Sequence, residues 1–190
     1  MYRGPGKRWA KRRQGFGADS AGYPQLVAEL TTTQEKLAEA LGLALAAEIA
    51  TEKVEERVDD PALVDTLRAM RREARETQAR IVGVAGRYED EACWEIQAHA
   101  AYVQRKAGEM ASAWFKAATD GIQAFQFLAM GEAGEIATWA ALAELNGQWD
   151  PAIVELCAWA IPIQERHLKD AFEGVVRLAA LPLPQQESLA

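Results

Sequence analysis

This sequence has few of the residues that most often announce a chemistry. Its two cysteines, Cys93 and Cys157, lie 64 positions apart and form no CxxC pattern, which excludes a disulfide scaffold, a thiolate zinc site and a thioredoxin-like redox pair. A reducing, cytoplasmic setting is the expectation that follows. The two histidines, His99 and His167, exclude metal sites built on three or more imidazoles, so carboxylates must carry any metal chemistry. No run of about eighteen uncharged apolar residues occurs, and no membrane span is expected. Glycine-rich nucleotide loops, catalytic serine or cysteine constellations and zinc spacings are missing as well. The Arg12-Arg13 pair is not followed by an apolar stretch, which removes a twin-arginine export reading.

The chain has 190 residues, 49% hydrophobic and 26% charged, a composition and size suited to one compact core. Its charge is split. Residues 1 to 24 carry six basic side chains against Asp19, a net of +5, and the remaining 15 basic and 27 acidic residues give −12. The expected organisation is a basic, glycine-rich arm over 1–23, a helical bundle over 24–180 and a tail over 181–190. Such an arm can stay solvated, fold back on its acidic body or dock on nucleic acid. Repulsion of a polyanion by the body makes nucleic acid an unfavoured partner.

From Pro24 onward Ala, Leu, Glu, Gln and Arg dominate and β-branched runs are missing, so the class is all-α. Five helices are expected. The first runs from Pro24 to about Val58, the second from Pro61 to about Arg87 and the third from Glu91 to Ala118. A fourth ends at Asn146-Gly147, and the last spans Pro151 to about Ala180. Asp60-Pro61 and Asp150-Pro151 supply N-cap and N1 residues at two of the turns. Two segments also recur in order. Glu48-Ile49-Ala50-Thr51 is followed 12 residues later by Asp60-Pro61-Ala62, and Glu135-Ile136-Ala137-Thr138 is followed 15 residues later by Asp150-Pro151-Ala152. The pattern predicts two duplicated antiparallel hairpins, superposable through a pseudo-two-fold axis and joined by the third helix as a long crossover.

Several glutamates fall within apolar stripes. At 100° per residue Leu30, Leu37, Leu41 and Leu45 mark the inner face of the first helix, and Glu48 and Glu52 lie within about 20° of it. Phe125, Leu128, Ile136 and Trp139 define the fourth helix's stripe, with Glu132 at its centre and Glu135 about 60° aside. Val154, Ile161, Leu168, Phe172 and Val175 mark the last helix, with Gln164 inside, Glu165 at one flank and His167 at the other. Glu73 sits on the rim of the second helix and Glu76 points outward among arginines. Counted from the turns, these groups share one height. A buried carboxylate needs a cation, a hydrogen bond or a raised pKa. Either these residues ligate iron or manganese, or they pair with neighbouring Arg, Gln or water.

The paired hairpins, the helical crossover, Glu48, Glu132-x-x-Glu135 and Gln164-Glu165-Arg166-His167 resemble the ferritin-like superfamily, most closely the YciE/YciF stress-associated ferritin-like proteins. The resemblance covers about residues 24 to 180. It implies a ferritin-like antiparallel four-helix bundle with a long helical crossover, and homo-oligomeric assembly. It also implies a di-iron or di-manganese carboxylate site, with oxygen or peroxide as reactants, drawn from Glu48, Glu73, Glu132, Glu135, Glu165 and His167. The chain departs from the superfamily's Glu-x-x-His pairs twice, with Glu73-x-x-Glu76 on the second helix and Gln164-x-x-His167 on the last. At the repeat's offset, Gln164 and His167 correspond to Ala74 and Thr77. The alternative is a degenerate ferritin-like bundle without metal, acting as a structural or interaction module.

Overall fold

A computed structural model describes residues 29–117 and 120–180. The basic arm, Pro24 and the tail lie outside them. The described residues form five α-helices: α1 (Thr32–Glu55), α2 (Pro61–Ala85), α3 (Asp90–Ala117), α4 (Gly121–Asn146) and α5 (Pro151–Ala179). None of them is long and apolar enough to cross a membrane.

Local chemistry sets most helix ends. The Asp60 and Asp150 carboxylates each accept from the backbone N–H two residues on, at 2.9 Å, with proline at the first helical position. Asp120 accepts from the Gln123 N–H at 2.8 Å and starts α4. Gly147 closes α4 at φ 54°, left-handed backbone that glycine adopts without strain. One start differs from expectation. Glu29 and Leu30 are not helical, and α1 opens at a capping box in which Thr31 Oγ1 accepts from the Gln34 N–H while Gln34 Oε1 accepts from the Thr31 N–H. Two orphan N–H groups are satisfied there at once.

Core membership fixes the direction of each helix. One apolar cluster joins Leu37 and Leu41 of α1, Ile81 and Ala85 of α2, Ile96 and Ala100 of α3, Trp139 and Leu142 of α4, and Ile153 and Leu156 of α5. The other joins Val54, Leu67, Met70, Ala111, Phe115, Phe125, Leu128 and Ala171. The start of α1, the end of α2, the start of α3, the end of α4 and the start of α5 therefore share one end of the molecule. Helix α1 packs on α2 and α4, and α5 packs on α4 and, more loosely, on α2, which closes a ring of four antiparallel neighbours. Because α2 ends where α3 begins and α4 starts at the opposite end, α3 carries the chain the length of the ring, about 42 Å for its 28 residues. It lies outside the ring, chiefly along α1, and meets α4 near one end, where Trp114 and Phe115 pack on Phe127 and the Trp114 indole N–H donates to Gln123 O at 3.0 Å.

Two glycines permit close approaches. A Cβ on Gly42 would collide with Ala100 O and Val103 of α3, and one on Gly174 would run into the Phe125 ring of α4. The second contact accounts for another difference from expectation. The inner face of α5 is Ile153, Leu156, Cys157, Ala160, Gln164, His167, Ala171 and Gly174, rotated from the predicted stripe toward its small residues. Phe172, expected inside, is 57% exposed. Ala160, Ala171 and Gly174 let the α5 backbone seat deeply against α4, and that dispersion gain over a long interface outweighs burial of one ring. Glu52 likewise faces solvent.

Candidate functional site

Between the two apolar clusters lies a polar layer. It contains Thr51 of α1, Thr77 of α2, Glu132 and Glu135 of α4, and Gln164 and His167 of α5, each less than a tenth exposed, with Ala74 of α2 beside them. Glu48 and Glu135, the equivalent glutamates of the recurring segment, lie at this same height, but their environments differ. In α1 Thr51 points inward, donating to Ala47 O and Glu48 O, and Glu48 stays at the edge. In α4 it is Glu135 that points inward.

His167 organises the layer. Its Nε2 lies 2.7 Å from Glu73 Oε2, and Glu73 Oε1 accepts from Arg166 at 2.5 Å. Its Nδ1 faces Glu132 Oε2 at 3.5 Å, too long for a well-formed hydrogen bond, and that oxygen has no donor among the described residues. Burial pulls the imidazole pKa down, but Glu132 and then Glu73 more than reverse this, and the net direction is up. Burial pushes the Glu73 carboxyl up, yet His167 and Arg166 together hold it below the usual range. Both directions favour a proton held on the imidazole and a charge held on Glu73.

Glu135 has no such help. It is 4% exposed, and burial followed by the neighbouring Glu132 charge drives its carboxyl well above the usual range. Among the described residues, Gln164 Oε1 and the Trp139 indole N–H are also buried without partners. Unpaired polar atoms in a core are costly, and three of them at or beside one layer set it apart from the surrounding packing.

Other expected ligands lie elsewhere. Glu48 is bound by Arg75 at 2.7 Å and Gln78 at 3.2 Å, and the Arg75 hydrogen bond is the main reason its carboxyl titrates low. Glu165 is exposed on the opposite side of α5, and Glu76 is exposed and paired with Arg80 at 2.8 Å. The structure thus gathers Glu73, Glu132, Glu135 and His167 and leaves Glu48 and Glu165 apart. Among the described residues no group of three or more His, Cys, Asp or Glu is placed to hold a metal ion. Sequence reading allowed pairing with a neighbouring Arg or Gln but assigned neither Arg75 and Gln78 to Glu48 nor Arg166 to Glu73. The only signal for them was a count of cations against carboxylates on facing helices, which fixes no particular pair. Compared with models of known protein families, with curated proteins and with solved structures, the chain matches none.

Proposed function

We propose that this chain is a ferritin-like bundle that serves as a binding module and lacks a dinuclear carboxylate centre. The order of two antiparallel hairpins, the long α3 between them and the polar layer at mid-height support the ferritin-like reading. The observation that carries the functional part is the Arg75–Glu48 pair. A dinuclear site draws one carboxylate from each of two helices and a Glu-x-x-His pair from each of the other two. Here α1's carboxylate is committed to an arginine at the bundle edge. Helix α2 has no histidine, its Glu73 is held by His167 and Arg166, and α5 offers glutamine where the second glutamate belongs. The residues present do not fit that centre. The Arg166–Glu73–His167–Glu132 row instead ties α2, α4 and α5 together through partly buried charge, an arrangement suited to fixing register.

One observation favours a second reading. Two donors bound at about 2.1 Å to one tetrahedral ion lie roughly 3.4 Å apart, close to the 3.5 Å between His167 Nδ1 and Glu132 Oε2. A single iron or manganese ion there would be held by these two groups with Glu73 orienting the imidazole through Nε2, as a carboxylate does behind many metal-bound histidines. Elemental analysis of the full-length chain purified without chelators decides between the readings. A binding module carries well under one metal per chain. One iron or manganese per chain that disappears in Glu132→Ala establishes the single-ion site, and two per chain would overturn the absence of a dinuclear centre.

A further inference from the structure

Where α2 begins and α5 ends, the loose packing of these two helices leaves an open groove of about 740 Å³. Leu63 and Thr66 of α2 form one wall, and Leu168, Phe172 and Val176 of α5 form the other. Phe172 and Val176 are 57% and 69% exposed. Their exposure follows from the fold, because Gly174 seats the opposite side of α5 against the Phe125 ring of α4 and turns these two side chains away from the core. The cations beside the groove are already paired, Lys169 with Glu173 at 3.5 Å and Arg177 with Asp60 at 2.5 Å. An uncharged apolar occupant would therefore break no ion pair.

We propose that the chain's own Leu181-Pro182-Leu183-Pro184 segment turns back from the end of α5 and occupies this groove, with Leu181 and Leu183 against Val176 and Phe172. The place where the chain leaves α5 carries the argument. The Ala180 N–H still donates to Val176 O at 3.1 Å, so helical periodicity reaches that residue. At 100° per residue Ala180 falls about 20° from Lys169, which lines the middle of the α5 wall, and the next residue starts on the groove side. Pro182 cannot extend the helix, since it has no N–H and its ring would meet the carbonyl four residues back, and Leu181 before it favours extended backbone. Length agrees. From Ala180 back to Phe172 is about 12 Å of helix rise. Four extended residues at about 3.1 Å each cover that distance, and residues 185–189 leave chain for the reversal. Chemistry agrees as well. The four residues bring two leucines, two prolines and no charge, and proline-rich segments suit grooves with an aromatic wall because their extended form loses little entropy on docking. The basic arm suits the groove less, since α1 starts at the opposite end of the bundle and the arm's cations would meet Lys169 and Arg177.

This contact is separate from the polar layer and stands whatever the metal content proves to be. Nuclear Overhauser spectra of the carbon-13-labelled full-length chain test it directly. The expected result is cross-peaks from the Leu181 and Leu183 methyls to the Phe172 ring, and none between chains in an isotope-filtered spectrum of a labelled and unlabelled mixture. Leu183→Asp should weaken the Leu181 to Phe172 cross-peak at least fivefold. Phe172→Ala, at a position already 57% exposed, should leave the fold intact and shift the Leu183 methyl resonances as the ring current is lost. Cross-peaks from Phe172 to a second chain or to residues 1–23 would give the groove another occupant and overturn the proposal. So would a Phe172 ring with no cross-peak to either leucine, or Leu183 resonances unmoved in Phe172→Ala.

Discussion

The two hairpins present matching glutamates to one layer and treat them in opposite ways. In α1–α2, Glu48 and Glu55 lie toward the edge and are answered by Arg75, Arg71 and Arg68. In α4–α5, Glu132 and Glu135 are buried, and among the described residues the one cationic side chain that approaches either is His167. Arginine pairs half in water hold charge at little cost and contribute little stability. A buried carboxylate served by a histidine alone is a liability unless something else enters. The first hairpin pairs its glutamates internally with arginines, whereas the second leaves its own in the buried layer.

The largest effect expected from breaking this contrast is at His167. His167→Ala leaves Glu132 without its cation and should destabilise the fold by about 3–5 kcal/mol, the usual cost of removing one partner of a buried pair, measured by urea unfolding at neutral pH. Glu135→Leu should act in the other direction. Replacing an unsatisfied buried carboxyl by an apolar group is expected to stabilise by about 1–3 kcal/mol, and the same unfolding experiment would refute the assignment if the variant were weaker.

The pH dependence should follow from the same two groups. His167 titrates higher folded than unfolded, so its contribution is complete below about pH 6.5 and is lost as pH rises through the folded value. Glu135 also titrates higher when folded, so stability declines as pH climbs above about 4.5. Unfolding free energy should therefore fall as pH rises above about 4.5 in the native chain, and fall less in Glu135→Leu. A flat profile would show that neither proton is held by the fold. The smallest effect belongs to the first hairpin. Arg75→Ala breaks a pair whose arginine is more than half exposed, and the loss should stay below about 1 kcal/mol and shrink further in high salt.

Much of the architecture was legible in the residues. The Asp-Pro pairs at 60–61 and 150–151 marked helix starts because an N-cap carboxylate and a first-turn proline act locally. The stripe on α4 located Phe125 and Leu128 in the core. Thr31 and Gln34 carried an equally local signal that was overlooked in favour of Pro24. The α5 stripe misled because periodicity weighs large apolar residues. The face that packs is chosen by how closely two backbones approach, and Gly174 against Phe125 is a property of the pair of helices.

The sequence by itself determined the helical class, the places where the chain turns, and the presence of carboxylates within apolar stripes at one height. All of these depend on residues within a few turns of one another. Tertiary structure alone decided which glutamate met a cation. Glu48 and Glu135 occupy equivalent positions in a recurring segment, yet Arg75, 27 residues along the chain, pairs with the first, and among the described residues no arginine pairs with the second. A carboxylate's charge state depends on the dielectric and on the charges within a few ångströms, and those neighbours are supplied by other helices. The rotation of α5 that carries His167 inward and Phe172 outward belongs to the same level.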